Sequence, residues 1–205
     1  GGVSSVIYMN PQTATIDTTT EIQGFKITNG NTQYNGGGIM INNSGITIDK
    51  SIIQNCWSSN FGAGLSVSNG NIILYKSLIQ NNSAGSGGGG IYLDGAESFI
   101  LKSKFRNNTC RRTYGYILPY GEAGGAISIV NGSTEIDSSE FYNNNSRTLG
   151  GAIAGSAIIS NSSFIKNKSG FNETDNQYYY GNSEAGAILL TSGYINNCQF
   201  LSNSS

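Results

Sequence analysis

The chain has 205 residues, of which only 11% are charged, and its formal net charge is −1. Such a small charge gives no long-range field for nucleic acid or an anionic membrane, and no stretch approaches the ~18 consecutive apolar residues of a membrane helix. The 29 glycines, 2 prolines and abundant asparagine, serine and isoleucine favour short strands and turns over helices. The absence of histidine from the sequence removes the commonest metal ligand and general base.

A three-part signature recurs along the chain with nearly constant spacing. Its first part is a glycine-rich opening to an apolar alternation, at 36–39, 62–65, 88–91, 124–127, 150–153 and 185–188. A second alternation follows and ends in a small polar residue, as at 46–51 and 72–77. The third part is an apolar residue three positions before an asparagine. These pairs are Ile79 and Asn82, Phe105 and Asn108, Phe141 and Asn144, Phe164 and Asn167, and Phe200 and Asn203.

Each unit therefore contains three short runs of period two that are separated by turn residues. The apolar positions Ile39, Leu65, Ile91 and Ile127 are 26, 26 and 36 residues apart. Strands this short cannot hide an apolar face alone, but stacked units can pair them in parallel at about 4.8 Å. Connections between parallel neighbours are right-handed in the great majority of cases. The sequence thus predicts an all-β fold, a right-handed parallel β-helix of about seven coils with three short strands per coil.

The same repeat predicts which residues stack inside the coil. Two apolar columns are expected to face inward: Ile39, Leu65, Ile91, Ile127, Ile153 and Ile188, and Ile48, Leu74, Ile100, Ile136, Ile159 and Ile195. Small residues before the first column would allow a tight corner with positive φ or close backbone approach. A third column is expected to form a structural ladder of stacked amides: Asn82, Asn108, Asn144, Asn167 and Asn203. Ile53 with Cys56, and Phe25 with Thr28, are placed in the same register with the asparagine replaced.

Several of these motifs resemble those of known repeat families. The pairing of GGA[ILV] with FxxN resembles the polymorphic outer-membrane protein repeats of chlamydiae, and residues 24–30, GFKITNG, look like an opening coil of the wider right-handed parallel β-helix repeat family. The resemblance covers residues 20–205. It implies the β-helix fold and, because these families include adhesins, autotransporter passengers and carbohydrate-active enzymes, a protein that is extracellular or at the cell surface.

Residues 1–205 are interpreted as a single β-helix domain from a longer chain, because no methionine or leader precedes Gly1 and no finishing element precedes Ser205. Two insertions interrupt the repeat between the asparagine and the next glycine-rich opening. Most coils spend five residues there, whereas residues 109–123 and 168–184 supply fifteen and seventeen. Because they fall at one corner of coils two apart, we expect them to emerge on the same side, about 10 Å from each other.

These insertions carry half of the 12 tyrosines and form the predicted binding site together with aromatic residues of the shorter loops, Phe61 among them. Rigid aromatic rings give a large contact area at little entropic cost and stack on sugar faces, so a glycan or protein partner is expected. Self-association along the solenoid is a further alternative. The rings could instead pack on each other and on the solenoid flank to hold long loops down. The predicted binding residues are Tyr34, Trp57, Arg111, Arg112, Tyr114, Tyr116, Tyr120, Tyr178, Tyr179 and Tyr180.

Lys50, Lys76 and Lys102 occupy equivalent positions in three successive units and predict a surface row at roughly 5 Å steps. We interpret the row as solvated lysines that protect an edge, with binding of an anionic polymer as the alternative. Cys56 and Cys198 are expected to be buried thiols, and Cys110, at the root of the first insertion, to be more exposed. No pair of the three falls at a plausible bridging distance in this register.

The favoured function is a non-catalytic β-helix scaffold, similar to an adhesin or passenger domain, with no predicted catalytic residue, metal or cofactor. A polysaccharide lyase or hydrolase of pectate-lyase-like fold is one alternative, but it needs converging carboxylates. Asp49 and Asp137 share a column three coils apart, so only the carboxylates near the insertions could meet that need: Glu122, Glu173, Asp175 and Glu184. A purely structural spacer or filament subunit is the other alternative, and it leaves the aromatic insertions unexplained.

Overall fold

The computed structural model describes residues 4–11, 17–111, 123–170 and 185–205. These residues form short β-strands without a helix, and all pairs of neighbouring strands run parallel. No part of the chain so described forms a helix that is long and apolar enough to cross a membrane. The predicted all-β fold, a parallel β-helix in which equivalent strands of successive units stack, is confirmed.

Sheet 1 has twelve strands arranged as two limbs. Limb 1 contains β1 (Ile7–Met9), β5 (Ile39–Asn42), β9 (Leu65–Ser68), β13 (Ile91–Asp94) and β17 (Ile127–Val130). Limb 2 contains β2 (Glu21–Gln23), β6 (Ile46–Asp49), β10 (Ile72–Tyr75), β14 (Glu97–Leu101) and β18 (Ser133–Asp137). Two long strands, β21 (Ile153–Ser160) and β23 (Ile188–Asn196), continue both limbs without a break. The limbs merge there because Gly155 and Gly193, with φ of 125° and 111°, replace the turn by a bulge.

Sheets 2 and 3 complete the circuit of each coil. Sheet 2 contains β3 (Lys26–Thr28), β7 (Ile52–Gln54), β11 (Leu78–Gln80), β15 (Lys104–Arg106), β19 (Glu140–Tyr142), β22 (Ser163–Ile165) and β24 (Gln199–Leu201). Sheet 3 contains the two-residue strands β4 (Asn31–Thr32), β8 (Trp57–Ser58), β12 (Ser83–Ala84), β16 (Thr109–Cys110) and β20 (Asn145–Ser146). Sheet 3 contributes a fourth, very short strand to a coil, in addition to the three strands that the repeat predicts.

The two apolar columns keep the predicted register. Their members are buried except in the last described coil, where Ile188 is half-buried and Ile195 is 41% exposed. Ile91, for example, pairs with Leu65 and Ile127, and all three side chains are fully buried. Phe105, Phe141 and Phe164 form a stack in sheet 2 with ring centroids 4.7 Å apart. Parallel pairing at the strand spacing brings identical side chains into contact, which accounts for one continuous core.

The asparagine column lies between sheets 2 and 3 and hydrogen-bonds one coil to the next. Asn108 Nδ2 donates to Asn144 Oδ1 at 3.0 Å and to the carbonyl of Ile79 at 2.9 Å. Its own Oδ1 accepts from Asn82 Nδ2 at 3.1 Å and from the Asn82 backbone N–H at 3.2 Å. The same pattern continues from Asn144 to Asn167 and from Asn167 to Asn203. Each amide thus satisfies buried backbone groups at a bend where the strands stop pairing.

A second ladder, of serine hydroxyls, lies between limb 2 and sheet 2. The backbone N–H of Ser51 donates to Ser77 Oγ at 3.0 Å, and Ser77 donates in turn to Ser103 Oγ at 3.2 Å. Ser139 and Ser162 continue the column, all of them buried. These are the small polar residues that end the second alternation of each unit.

One residue per coil adopts a positive φ at each of three corners. The corner between limbs 1 and 2 uses Asn43, Asn69, Gly95 and Asn131. The corner between limb 2 and sheet 2, called the lysine corner below, uses Gly24, Lys50, Lys76, Lys102, Ser138, Asn161 and Asn197. The corner between sheets 2 and 3, called the asparagine corner, uses Asn29, Asn55, Asn81, Asn107, Asn143, Lys166 and Ser202.

Glycine-rich openings lead into limb 1 from the fourth corner. Gly36, Gly62 and Gly88 have φ between 57° and 64°, and a Cβ on Gly88 would collide with the carbonyl of Ile91. The predicted need for small residues at this corner is confirmed.

The register proposed for Phe25 is wrong. Ile27, rather than Phe25, pairs with Ile53 and is buried, whereas Phe25 is 62% exposed. The Phe25 N–H donates to Ser51 Oγ at 3.1 Å, so this residue belongs to the serine column. The two registers differ by two residues, which leaves the period-two pattern unchanged and makes them indistinguishable from alternation alone.

Candidate functional site

The corner between sheet 3 and limb 1, called the aromatic corner below, is where both predicted insertions leave the coil. Thr109 and Cys110 still pair within sheet 3, and Lys168 bridges to Asn145, so the coil continues to residues 111 and 170. On the return side, Ala185 bridges to Gly150. The departures from the repeat are therefore shorter than 109–123 and 168–184.

Most of the predicted binding residues lie outside the described residues: Arg112, Tyr114, Tyr116, Tyr120, Tyr178, Tyr179 and Tyr180. Three others are described. Arg111 is exposed at the first insertion, and its backbone N–H donates to the carbonyl of Ala84 at 2.8 Å. Tyr34 lies in the loop that precedes Gly36, with 73% of its surface exposed. Trp57 belongs to β8 rather than to a loop, so its ring lies on sheet 3.

Tyr34 shares a cleft with Tyr8, an exposed tyrosine at the centre of β1. The cleft has a volume of about 460 Å³. The described residues that line it carry aromatic, hydroxyl, amide and thioether groups but no charge: Ser4, Ser5, Tyr8, Thr32, Tyr34, Asn35, Met40 and Asn60. Two exposed rings thus border a neutral cleft that is rich in hydrogen-bonding groups.

Hydrogen bonds fix the walls of this cleft. Asn10 Nδ2 donates to the Tyr8 hydroxyl at 3.0 Å, and β1 pairs with β5 so that Tyr8 lies beside Met40. The Tyr34 N–H donates to Thr32 Oγ1 at 3.1 Å, which closes a small turn under the ring. The loop in the next coil is bound to this one, because the Phe61 N–H donates to Asn35 Oδ1 at 3.3 Å. The rings are therefore held on a preformed frame.

Phe61, the other aromatic residue expected at this corner, packs against the outer face of limb 1. Its ring stacks on Tyr92, with centroids 4.5 Å apart and planes at 27°. This pair follows the packing alternative, in which a ring holds a loop against the flank. Among these described rings, Phe61 therefore packs on the sheet, whereas Tyr8 and Tyr34 remain exposed at the cleft.

Tyr8, Met40 and Asn60 were missed by the sequence interpretation. Ile7-Tyr8-Met9 has the alternation of a limb 1 strand, but no glycine-rich opening precedes it, so the repeat search passes over it. Aligning Ile7 with Ile39 by their apolar spacing would have placed Tyr8 beside Met40 on the outer face. That alignment is the sequence signal from which Tyr8 could have been predicted as an outward residue.

The described carboxylates are spread over the outer surface. Asp49 and Asp137 face outward in one column of limb 2, separated by the positions of Tyr75 and Leu101, or about 14 Å at the strand spacing. Glu140 pairs with Arg106, with 2.8 Å between Oε1 and the guanidinium. Within the described ranges, no three His, Cys, Asp or Glu residues converge as metal ligands would. Glu122, Glu173, Asp175 and Glu184 lie outside them.

Two of these carboxylates have lowered pKa values. The Lys50 ammonium, 3.0 Å from Oδ2, is the main cause for Asp49, and Gln23 Nε2 adds a hydrogen bond at 2.7 Å. For Asp137 the pKa is lowered by hydrogen bonds from Asn161, Ser160 and Ser138. Both groups therefore stay ionised well into the acid range.

The three thiols differ in part from expectation. Cys56 is buried, as predicted, and burial raises its pKa. Cys198 is only half-buried, because it lies in the outermost described coil. Cys110 is buried rather than exposed, which corrects the prediction: as the inward residue of β16 it packs with Ala123 and Leu149. All three are free.

No protein-family model, no curated protein and no solved structure matches this chain.

Proposed function

We propose that this chain is a non-catalytic scaffold of an extracellular or cell-surface protein and that its aromatic corner binds a glycan. One observation carries the proposal: Tyr8 and Tyr34 line one neutral cleft and remain 59% and 73% exposed. Isolated exposed rings are common on protein surfaces, but two that border one concave, uncharged site with several hydrogen-bonding groups are typical of a binding surface.

The chemistry of the cleft favours a neutral sugar over a protein or a charged ligand. Pyranose rings present C–H faces that stack on tyrosine and hydroxyl groups that need both donors and acceptors. The amides of Asn35 and Asn60 and the nearby serine hydroxyls supply both kinds of group. None of the lining residues would pair with a charge.

The predicted insertions extend the proposal along the same corner. The described residues that flank them lie in the coils beyond Tyr34 and Phe61. The tyrosines of the insertions themselves remain predicted binding residues. The resemblance of the GGA[ILV] and FxxN motifs to polymorphic outer-membrane protein repeats supports the assignment to the cell surface, and membership of that class is part of the proposal.

The test uses the full chain on an array of neutral and charged glycans, followed by titration calorimetry with the best neutral binder. Replacing both rings, Y8A/Y34A, should weaken binding roughly a hundredfold, since each ring contributes about tenfold. The free energy of unfolding of this variant should stay within about 1 kcal/mol of the parent's, because both rings are exposed.

Phe25→Ala is the matched control, because Phe25 is an equally exposed ring on another side of the coil. It should leave binding unchanged. The proposal fails if no neutral glycan binds, or if the double variant binds as tightly as the parent.

A further inference from the structure

The lysine corner differs from the other corners in the residues that occupy it. A positive φ is disfavoured for residues with a Cβ, and asparagine tolerates it best among them. The asparagine corner accordingly uses asparagine in five successive coils, from Asn29 to Asn143. The lysine corner instead places Lys50, Lys76 and Lys102 at φ of 44°, 47° and 51°. Three successive lysines thus occupy a conformation for which the chain elsewhere selects asparagine.

These lysines form a straight row along the solenoid axis. The Lys50 N–H donates to Tyr75 O, the Lys76 N–H to Leu101 O and the Lys102 N–H to Asp137 O, at 3.0–3.1 Å. Each backbone is therefore fixed directly over the next, and the row repeats at the strand spacing of about 4.8 Å. All three side chains are exposed.

The positive charges of the row exceed the nearby negative ones. Asp49 pairs with Lys50 and is itself buried, with Oδ1 lacking a hydrogen-bond partner among the described residues. Asp137 lies beside Lys102 and is hydrogen-bonded by three side chains, so Asp49 and Asp137 supply two negative charges beside the three lysines. Lys76 Nζ lies 4.7 Å from the ring centroid of Tyr75 rather than on a carboxylate. The row therefore presents a net positive charge to solvent.

Aromatic and aliphatic side chains border the row on limb 2. Tyr75 lies beside Lys76, and Phe99, one column further from the corner, is 43% exposed. A concave groove of about 610 Å³ continues from Lys102 past Ser138 and Asn161. The rings thus border the row on its limb 2 side, and the groove, which Lys104 and Glu140 also line, borders it on the side of sheet 2.

We infer that the lysine corner is a second binding site, for an anionic polysaccharide that lies along the solenoid axis. An extended chain of uronic acids carries one carboxylate on each sugar at nearly the interval of the strands, so the spacing of its charges along the axis resembles that of the lysine row. B-form DNA carries one phosphate per 3.4 Å of each strand and does not fit that interval. This site is separate from the aromatic corner, with the strands of sheets 2 and 3 between them along the coil.

The experiment measures binding of polygalacturonate to the full chain by titration calorimetry at several salt concentrations. The variant K50N/K76N/K102N should bind about tenfold more weakly and show a shallower salt dependence, because fewer counterions are released. Asparagine suits the backbone of this corner, so the variant should fold. K76N/K102N keeps the partner of Asp49 and serves as the second variant if the triple substitution lowers stability.

Lys166→Asn is the matched control. Lys166 is a lysine at φ of 56° on the asparagine corner, with its Nζ 5.8 Å from the Tyr142 ring centroid, but it belongs to no row. It should bind like the parent, and fully methyl-esterified polygalacturonate should not bind at this site. Y8A/Y34A should retain polygalacturonate binding, which separates this inference from the proposed neutral-glycan site.

Unchanged binding in both lysine variants would overturn the inference, as would equal weakening by Lys166→Asn. Equal affinity for single-stranded DNA or for anionic lipid vesicles would also overturn it, because it would show attraction to charge alone.

Discussion

Aromatic rings have two different roles in the molecule, inside the coil and at the aromatic corner. Phe105, Phe141 and Phe164 are fully buried, nearly parallel rings that stack at a constant 4.7 Å spacing. Tyr8 and Tyr34 lie on a strand and on a loop, and their rings border an open cleft. Inside the coil, stacking on the equivalent residue one coil away selects the type of residue at each position. On the outside, no stacked neighbour selects the residue type. The surface residues can therefore differ from coil to coil and can carry function.

The largest expected effect comes from breaking the phenylalanine stack in its middle. Phe141→Ala removes a fully buried ring with a partner on each face, so the free energy of unfolding should fall by about 4 kcal/mol. Phe200→Ala should cost only about 1–2 kcal/mol, because Phe200 is 47% exposed and its one ring partner among the described residues is Phe164. Guanidinium unfolding followed by circular dichroism measures both.

The exposed Phe25 provides the control for this pair, since Phe25→Ala should change stability by less than about 0.5 kcal/mol. Equal losses for Phe141→Ala and Phe200→Ala would contradict the view that each ring is stabilised by the coils on both of its sides.

The next effect concerns the amide ladder. Asn108→Ala leaves the carbonyl of Ile79 and the N–H of Asn82 without partners in a buried site, and we expect a loss of about 3 kcal/mol. Its sequence neighbour Asn107 is exposed on the outer surface at φ of 54°. Asn107→Gly keeps that backbone conformation and should cost less than about 0.5 kcal/mol.

Thermal and guanidinium midpoints of the two variants give the comparison directly. A larger loss for Asn107→Gly than for Asn108→Ala would mean that the outer amides, rather than the inner ladder, hold the bend together.

The inner columns were predictable from sequence because stacking imposes one residue type at a fixed interval. Ile91, Ile100 and Asn108 each belong to a column that repeats through the chain, and the structure places all three as expected. Phe25 was misplaced because a shift by two residues preserves the alternation and only the neighbouring coil decides between them. The two-residue strands of sheet 3 were missed because they are too short to show a period.

The candidate site was only partly predictable. Tyr34 was found because it lies in a short loop at the corner where both insertions occur, but Tyr8 lies on a regular strand whose outward residues follow no rule. The lysine row was visible in sequence as a periodic charge. Its positive φ was not, because a corner conformation depends on how the strands before and after it turn.

The smallest expected effect comes from extending the asparagine ladder by one coil. Cys56 occupies the ladder position that precedes Asn82, and its N–H already donates to Asn82 Oδ1 at 3.0 Å. A Cβ on Gly38 would lie 3.2 Å from Cys56 Sγ, nearly the distance between the corresponding atom on Gly64 and Asn82 Nδ2. The space around the thiol therefore matches the space around a ladder amide.

Cys56→Asn should accordingly raise the free energy of unfolding by about 1 kcal/mol, because the new amide can donate to Asn82 Oδ1 and to the carbonyl of Ile27, as Asn82 does one coil later. Cys56→Ser is the matched control, since a hydroxyl is polar but too short to reach both acceptors, and it should be no more stable than the parent. Guanidinium midpoints under reducing conditions compare the three proteins. A serine variant as stable as the asparagine variant would show that the ladder stops at Asn82 for a reason other than the residue at position 56.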